Sequence, residues 1–133
     1  MNVRFLDLQL VHHEMRDELE SVFRKVLTSG IYVLGPELEA FEREFAHYSE
    51  VKHCVGVGSG LDALYLILRA YGIGPGDEVI VPSNTFIATW LAVTYAGATP
   101  VPVEPDERTY NIDVAKIESA ITKKTRAIIP VHL

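Results

Sequence analysis

The sequence predicts an α/β protein built on a mostly parallel β-sheet, and three observations support this prediction. Of the 133 residues, 48% are hydrophobic and 23% are charged, which is typical of a folded chain and not of a disordered or collagen-like one. A chain of this length can also bury a substantial core. From His53 onward, short apolar runs alternate with helical patterns, and this alternation favours parallel strands joined by right-handed crossovers.

Two helices are predicted before this alternation begins. Residues 12–27 carry apolar side chains at helical spacing, so one stripe of this helix is expected to face a core. Ser29-Gly30 ends the helix, and residues 31–35 form an unusually apolar loop. Pro36 then opens the second helix, since proline is favoured in the first helical turn.

The remaining residues predict four strands and three helices. The strands are expected at 54–57, 78–82, 99–104 and 126–133. The helices are expected at 61–71, at 86–96 and from Asp113 to about Ile121. Because a buried parallel strand is normally followed by a loop, the apolar end at Leu133 predicts that the sequence is a piece of a longer protein.

Composition argues against several classes of function. The chain has 12 Lys and Arg residues, 18 Asp and Glu residues and no basic cluster, so we expect no nucleic-acid partner. Cys54 is the only cysteine and the five histidines lack metal-ligand spacing, so neither a disulfide nor a metal site is expected, while the role of His132 stays open. No apolar stretch is long enough for a membrane span and residues 1–4 open no signal peptide, which predicts a soluble cytoplasmic protein.

The most informative stretch is the glycine-rich turn at 56–64, GVGSGLDAL. It joins a predicted strand to a predicted helix, so its backbone N–H groups and the positive end of the helix suit a phosphate group. A tight turn that binds nothing remains an open alternative. A dinucleotide fingerprint would need glycine where the chain has Leu61, and a mononucleotide loop would need a Gly-Lys pair that is absent.

A second polar stretch follows the strand at 78–82. Ser83, Asn84 and Thr85 can be explained as helix caps. Composition alone favours Phe86 as a core residue. An aromatic ring beside an anion site could instead stack on a flat cofactor.

Five motifs, spread over essentially the whole sequence, belong together: FLDL at 5–8, SGIYVLGPE at 29–37, GSGLDAL at 58–64, GPGDEVIVPSNTFIAT at 74–89 and AITKKTRAIIPVHL at 120–133. With these motifs the sequence resembles the DegT/DnrJ/EryC1/StrS family of pyridoxal phosphate (PLP) dependent nucleotide-sugar aminotransferases. The resemblance implies the fold-type I architecture of aspartate aminotransferase, with an N-terminal helical segment over 1–50. The first part of the large PLP-binding α/β domain would then cover 51–133.

The resemblance also implies residue roles. The backbone of Gly60, Leu61 and Asp62 would hold the cofactor phosphate, with Ser59 in the same cofactor-binding turn. Phe86 would stack on the pyridine ring. Many members of the family have threonine at position 61, so Leu61 removes a side-chain contact with the phosphate and keeps the backbone N–H.

On the substrate side, the resemblance implies that Tyr32 and the loop at 31–35 line the site, across the interface of a homodimer. The expected substrates are a nucleotide-linked keto-sugar, most similar to the dTDP-3-keto-6-deoxyhexose branch, and glutamate as amino donor. The product would enter deoxyamino-sugar or polysaccharide biosynthesis. Two alternatives stay open: a PLP-dependent sugar dehydratase of the same family, and a non-catalytic regulatory or binding relative.

The family's Schiff-base lysine is expected beyond Leu133, so the sequence would be about the first third of the enzyme and carry no catalytic residue. Lys116, Lys123 and Lys124 belong to a peripheral helix and the loop after it, and none is a credible substitute. Residues 1–133 alone are therefore predicted to be inactive.

Overall fold

The computed structural model describes residues 5–133, so residues 1–4, where no signal peptide is expected, lie outside it. The chain divides into two compact units, Met1–Gly56 and Val57–Leu133. The described helices are α1 (Leu8–Glu14), α2 (Arg16–Ser29), α3 (Pro36–Tyr48), α4 (Gly60–Ala70), α5 (Ile87–Tyr95) and α6 (Val114–Ala120). The described strands are β1 (Glu78–Pro82), β2 (Thr99–Val103) and β3 (Thr125–Ile128).

The first unit is helical, and three of its helix boundaries have a local cause. The Asp7 side chain accepts a hydrogen bond from Gln9 N at 3.1 Å and starts α1. Gly30, in the left-handed region at φ 67°, ends α2 as predicted. Pro36 lies in the first turn of α3, also as predicted.

The single helix predicted at 12–27 is wrong in two respects. Two helices cover this stretch, because Met15 leaves helical geometry at φ −100° and ψ 7° between α1 and α2. The apolar stripe of α2 also faces no core in the described residues, since Phe23 is 68% exposed and no residue of α2 is buried.

The second unit holds a parallel sheet in the order β2-β1-β3, which confirms the predicted α/β class. Val79, Ile80 and Val81 in the central strand are fully buried. Burying such a side chain stabilises a fold by about 1.5–3 kcal/mol relative to leaving it exposed. One face of the strand packs with Leu68 of α4 and Val93 of α5 in the main apolar cluster, so the sheet and these two helices form the core.

The strand predicted at 54–57 is absent from the described sheet. A strand is defined by a hydrogen-bonded partner, and residues 54–57 pair with none of the three strands of the described sheet. In this stretch the main-chain N–H of Gly56 donates instead to Glu42 Oε1 at 2.7 Å. The strand predicted at 54–57 is therefore wrong for the described residues, although the stretch is apolar.

The last strand is shorter than predicted. β3 ends at Ile128, and Ile129 N still donates to the Ile80 carbonyl at 2.9 Å. Pro130 has no N–H to continue the ladder, which explains why the apolar run to Leu133 is not strand throughout.

Candidate functional site

Helix α4 begins at a serine cap that leaves two backbone donors free. Ser59 Oγ accepts a hydrogen bond from Asp62 N at 3.1 Å and donates one to Asp62 Oδ2 at 2.9 Å. The N–H groups of Gly60 and Leu61 donate to no acceptor within residues 5–133. The first turn of α4 therefore presents two N–H groups at the positive end of a helix, which is the usual chemistry of an anion site.

The backbone N–H of Asp62, which is predicted to bind the cofactor phosphate, already has an acceptor in this structure. That acceptor is Ser59 Oγ, so the N–H can serve an anion only if the anion replaces the serine as acceptor. The backbone N–H groups of Gly60 and Leu61 need no such exchange.

Space is open in front of this turn. A Cβ added to Gly60 would meet no atom within 4 Å. The turn lines an open cavity of about 720 Å³, within the usual size range of small-molecule sites. Its other walls are apolar side chains at the starts of α4 and α5: Leu61, Ala63, Leu64, Phe86, Ile87, Ala88 and Leu91.

Phe86 lines the same cavity and is not part of the core that the described residues form. Its side chain is 81% exposed, so the core interpretation that composition favours is wrong within the described unit. Trp90 Nε1 donates to the Pro82 carbonyl at 3.3 Å and ties α5 to the end of β1, which holds Phe86 at this edge of the sheet. An uncovered aromatic ring beside two free N–H groups can stack on a flat anionic ligand.

The polar residues before Phe86 do not cap α5, so the capping role that the sequence suggests for them is wrong. Phe86 itself occupies the N-cap position of α5, which has no side-chain cap. Asn84 Nδ2 donates to the Tyr110 carbonyl at 2.9 Å, a contact that no sequence signal would reveal across 26 residues. Thr85 Oγ1 is buried and has no partner in the described part of the chain, so the turn before Phe86 offers one unused polar atom.

Tyr32 belongs to the other compact unit. Its side chain is 67% exposed, and its hydroxyl donates to the Leu27 carbonyl at 3.3 Å. Its predicted place on the substrate side stays a prediction.

The loop between β2 and α6 holds a carboxylate whose pKa is lowered by local hydrogen bonds. Backbone hydrogen bonding from Arg108 lowers the pKa of Asp106 below its usual value, and the Thr109 backbone acts in the same direction.

No group of three or more His, Cys, Asp or Glu side chains in residues 5–133 is arranged to hold a metal ion. No helix in the same range is long and apolar enough to cross a membrane.

Comparison with known proteins places these observations in a family. The model of the DegT/DnrJ/EryC1/StrS aminotransferase family matches residues 13–133. A curated relative, dTDP-3-amino-3,4,6-trideoxy-alpha-D-glucose transaminase from Streptomyces venezuelae, is 60% identical over 98% of this chain and 35% of its own length. The chain thus spans about a third of the relative that it matches.

Two solved structures are also similar. The crystal structure of S. venezuelae DesV in complex with a ketimine intermediate is 60% identical, with a TM-score of 0.93 over 98% of this chain and 35% of that one. The structure of NtdA from Bacillus subtilis with bound cofactor PMP is 39% identical, with a TM-score of 0.92 over 99% of this chain and 31% of that one. The α/β fold is therefore that of these enzymes, and the chain belongs to the DegT/DnrJ/EryC1/StrS aminotransferase family.

Proposed function

We propose that the protein containing this chain is a PLP-dependent aminotransferase that transfers an amino group from glutamate to a nucleotide-linked keto-sugar. One observation carries the proposal most directly. Two free backbone N–H groups at the start of α4 and the exposed ring of Phe86 line one cavity. Membership of an aminotransferase family supports the reaction type.

The residues present fit PLP. Its phosphate is an anion, and Gly60 and Leu61 offer it backbone N–H donors. The space in front of Gly60 is open, since a Cβ added there would meet no atom within 4 Å. Its pyridine ring is flat, and Phe86 offers an uncovered aromatic face. Thr85 Oγ1, buried without a partner in the described chain, is a further polar atom that the bound state can satisfy.

The chain's own residues bind and orient in this proposal. Bound PLP supplies the electron sink through which an amino group can leave a donor and reach a keto acceptor. Gly60 and Leu61 would hold the phosphate through their backbone N–H groups, while Phe86 would cover one face of the ring and keep water from it. Ser59 and Asp62 hold the first turn of α4 in shape, so the donors are preorganised before the cofactor arrives. No catalytic lysine is assigned to residues 1–133.

The substrate class follows from the resemblance and the relatives together. The S. venezuelae relative is named for a dTDP-3-amino sugar, which supports a dTDP-3-keto-6-deoxyhexose as acceptor here. Tyr32 is proposed on the substrate side, in a homodimeric enzyme of the cytoplasm. The product would enter deoxyamino-sugar or polysaccharide biosynthesis.

The test is an assay of the full-length protein with PLP, glutamate and a dTDP-3-keto-6-deoxyhexose. We expect formation of the 3-amino sugar together with 2-oxoglutarate in equal amounts. Loss of a sugar hydroxyl without 2-oxoglutarate would favour the dehydratase alternative. PLP binding without any turnover on dTDP-, UDP- or GDP-linked keto-sugars would favour a non-catalytic relative, and either result would contradict the proposal.

A further inference from the structure

The side chain of Asn84 ties the Phe86 turn to a distant loop. Asn84 lies two residues before Phe86, and its Nδ2 donates to the Tyr110 carbonyl at 2.9 Å. Because a carbonyl oxygen only accepts hydrogen bonds, this contact requires the amide nitrogen of Asn84 and fixes its orientation.

The Tyr110 carbonyl belongs to a strained residue. Tyr110 has a φ of 58°, in the left-handed region that bulky side chains rarely adopt. Such a conformation persists only where its surroundings hold it, and the loop does so with Tyr110 N donating to the Asp106 carbonyl at 2.8 Å and Asp106 N to the Asn111 carbonyl at 2.9 Å. Asn84 accordingly bonds to a carbonyl whose direction is already set.

The loop from 104 to 113 follows β2 and is held by further hydrogen bonds. Asp113 N donates to the Glu104 carbonyl at 3.2 Å, directly after β2. Leu133 N, beyond β3, donates to Asn111 Oδ1 at 3.0 Å. Asn84, which follows β1, therefore joins the Phe86 turn to a loop that follows β2 and that accepts a hydrogen bond from Leu133.

Other hydrogen bonds also hold the residues around this turn: Trp90 Nε1 donates to the Pro82 carbonyl at 3.3 Å, and Thr89 N donates to the Phe86 carbonyl at 3.2 Å. Ser83 N donates to the Val103 carbonyl at 3.0 Å, and Thr85 Oγ1 has no partner in the described residues. Phe86 is 81% exposed, so no packing within residues 5–133 holds its ring. Within the described residues, the Asn84 amide makes the only side-chain hydrogen bond from positions 83–86 to a neighbouring loop.

We propose that Asn84 is a positioning residue, which sets the orientation of Phe86 against the cofactor ring by anchoring its turn to the Tyr110 carbonyl. The inference rests on the proposed function, since it requires PLP at this site. It assigns to Asn84 no contact with the cofactor or with the reacting atoms.

The test compares Asn84→Asp with the unchanged full-length holoenzyme. Aspartate matches asparagine in size, but as a carboxylate it cannot donate to the Tyr110 carbonyl. The readout is the visible circular dichroism of bound PLP, which reports how rigidly the chromophore is oriented. We expect the band to fall at least twofold per bound cofactor and the PLP dissociation constant to rise about threefold to tenfold, with a melting temperature close to that of the parent protein.

Asn84→Ala is the second variant and should give the same loss of signal. Ser119→Ala is the matched control, because Ser119 Oγ also bonds a main-chain carbonyl, that of Lys116 at 2.9 Å, and lies outside the site. Its dichroism should be unchanged. Parent-like dichroism in both Asn84 variants would overturn the proposal, as would a large loss of stability with a normal band in the folded protein. If the parent protein, without any substitution, binds no PLP, that result would instead overturn the proposed function itself.

Discussion

Phe86 is the residue for which the core interpretation and the cofactor-stacking interpretation predict the most different effects of substitution. A buried phenylalanine truncated to alanine costs about 3–5 kcal/mol of folding free energy. Because the ring is 81% exposed, Phe86→Ala should instead change the stability of the apo protein by about 0.5 kcal/mol or less. The affinity for PLP should fall by about 0.5–1.5 kcal/mol, the scale of an aromatic pair.

Apo melting and PLP titration of the full-length variant measure both quantities. Phe86→Trp should bind PLP normally, since a larger ring still lies flat on the pyridine. Tyr95→Ala is a suitable control, because Tyr95 is also an exposed aromatic of the α5 segment and is absent from the cavity wall. Normal PLP affinity in Phe86→Ala together with a strongly destabilised Trp variant would contradict the stacking role.

Gly60 offers a second test at the same scale. An added Cβ meets no protein atom within 4 Å, so Gly60→Val should leave the apo fold essentially intact. The new side chain would occupy the space in front of the free N–H groups and weaken PLP binding by about 1–3 kcal/mol, the range for lost charge-assisted hydrogen bonds. Equilibrium titration checks this, and unchanged affinity would mean that the turn is only structural.

The limits of prediction at residue scale are visible in the same turn. The glycine-rich pattern is local, so a possible phosphate-binding turn could be recognised from sequence, and the family resemblance points to Gly60 and Leu61 within it. The exposure of Phe86 could not, because an apolar residue after a strand has the same local pattern whether it is buried or not. The partner of Asn84 depends on a loop 26 residues away, which no local pattern encodes.

Among the elements, α4 depends on its serine cap. Ser59→Ala removes the acceptor for Asp62 N and should lower the free energy of unfolding by about 0.5–2 kcal/mol. Chemical denaturation of the apo protein measures this. Ser119→Ala, which removes a serine hydrogen bond that caps no helix, should cost less, and equal effects in the two variants would argue against the capping role.

The lowered pKa of Asp106, in the loop from 104 to 113, predicts that folding stability depends on pH. The pKa of Asp106 is lowered in the folded state, chiefly by the Arg108 backbone N–H, so its ionised form stabilises the fold. This contribution is fully present above the unfolded pKa of about 3.9 and is lost as the pH falls through the lower, folded value. Asp106→Asn should therefore be less stable than the parent at pH 7, and the difference should narrow toward pH 3.

Urea denaturation at several pH values between 7 and 3 follows this difference. A difference in stability that stays constant over the whole range would show that the charge of Asp106 contributes nothing, and that only its shape matters to the loop.

Element prediction succeeded where local signals decide and failed where partners decide. Pro36, Gly30 and the cap at Asp113, whose side chain accepts from Ala115 N at 3.0 Å, mark helix ends by local chemistry. Residues 54–57 have the composition of a strand, yet strand formation depends on pairing with a distant part of the chain, and they pair with no strand of the described sheet.

For the molecule as a whole, a polypeptide of residues 1–133 made alone should show no transamination. Lys123 and Lys124 precede β3, and so lie at the opposite end of that strand from the carboxyl edge where Phe86 follows β1. Lys116 Nζ is paired with Asp113 Oδ2 at 3.1 Å. Without a suitably placed lysine, no group anchors the cofactor covalently or moves the proton that transamination requires.

An assay with PLP, glutamate and a dTDP-keto-sugar checks this prediction against a control that contains PLP alone. Turnover above the control would contradict it. We also expect this polypeptide to be poorly soluble, because the outer edges of β2 and β3 are unpaired in the described sheet and large apolar side chains of α2 are exposed.

The central claim is that one cavity holds the phosphate at the start of α4 and the pyridine ring on Phe86. A crystal structure of the full-length protein with PLP tests it most directly. We predict phosphate oxygens at hydrogen-bond distance, about 2.7–3.2 Å, from the backbone nitrogens of Gly60 and Leu61, with the Phe86 ring lying against the pyridine. A phosphate bound elsewhere, with Phe86 packed against protein and away from the cofactor, would contradict the account.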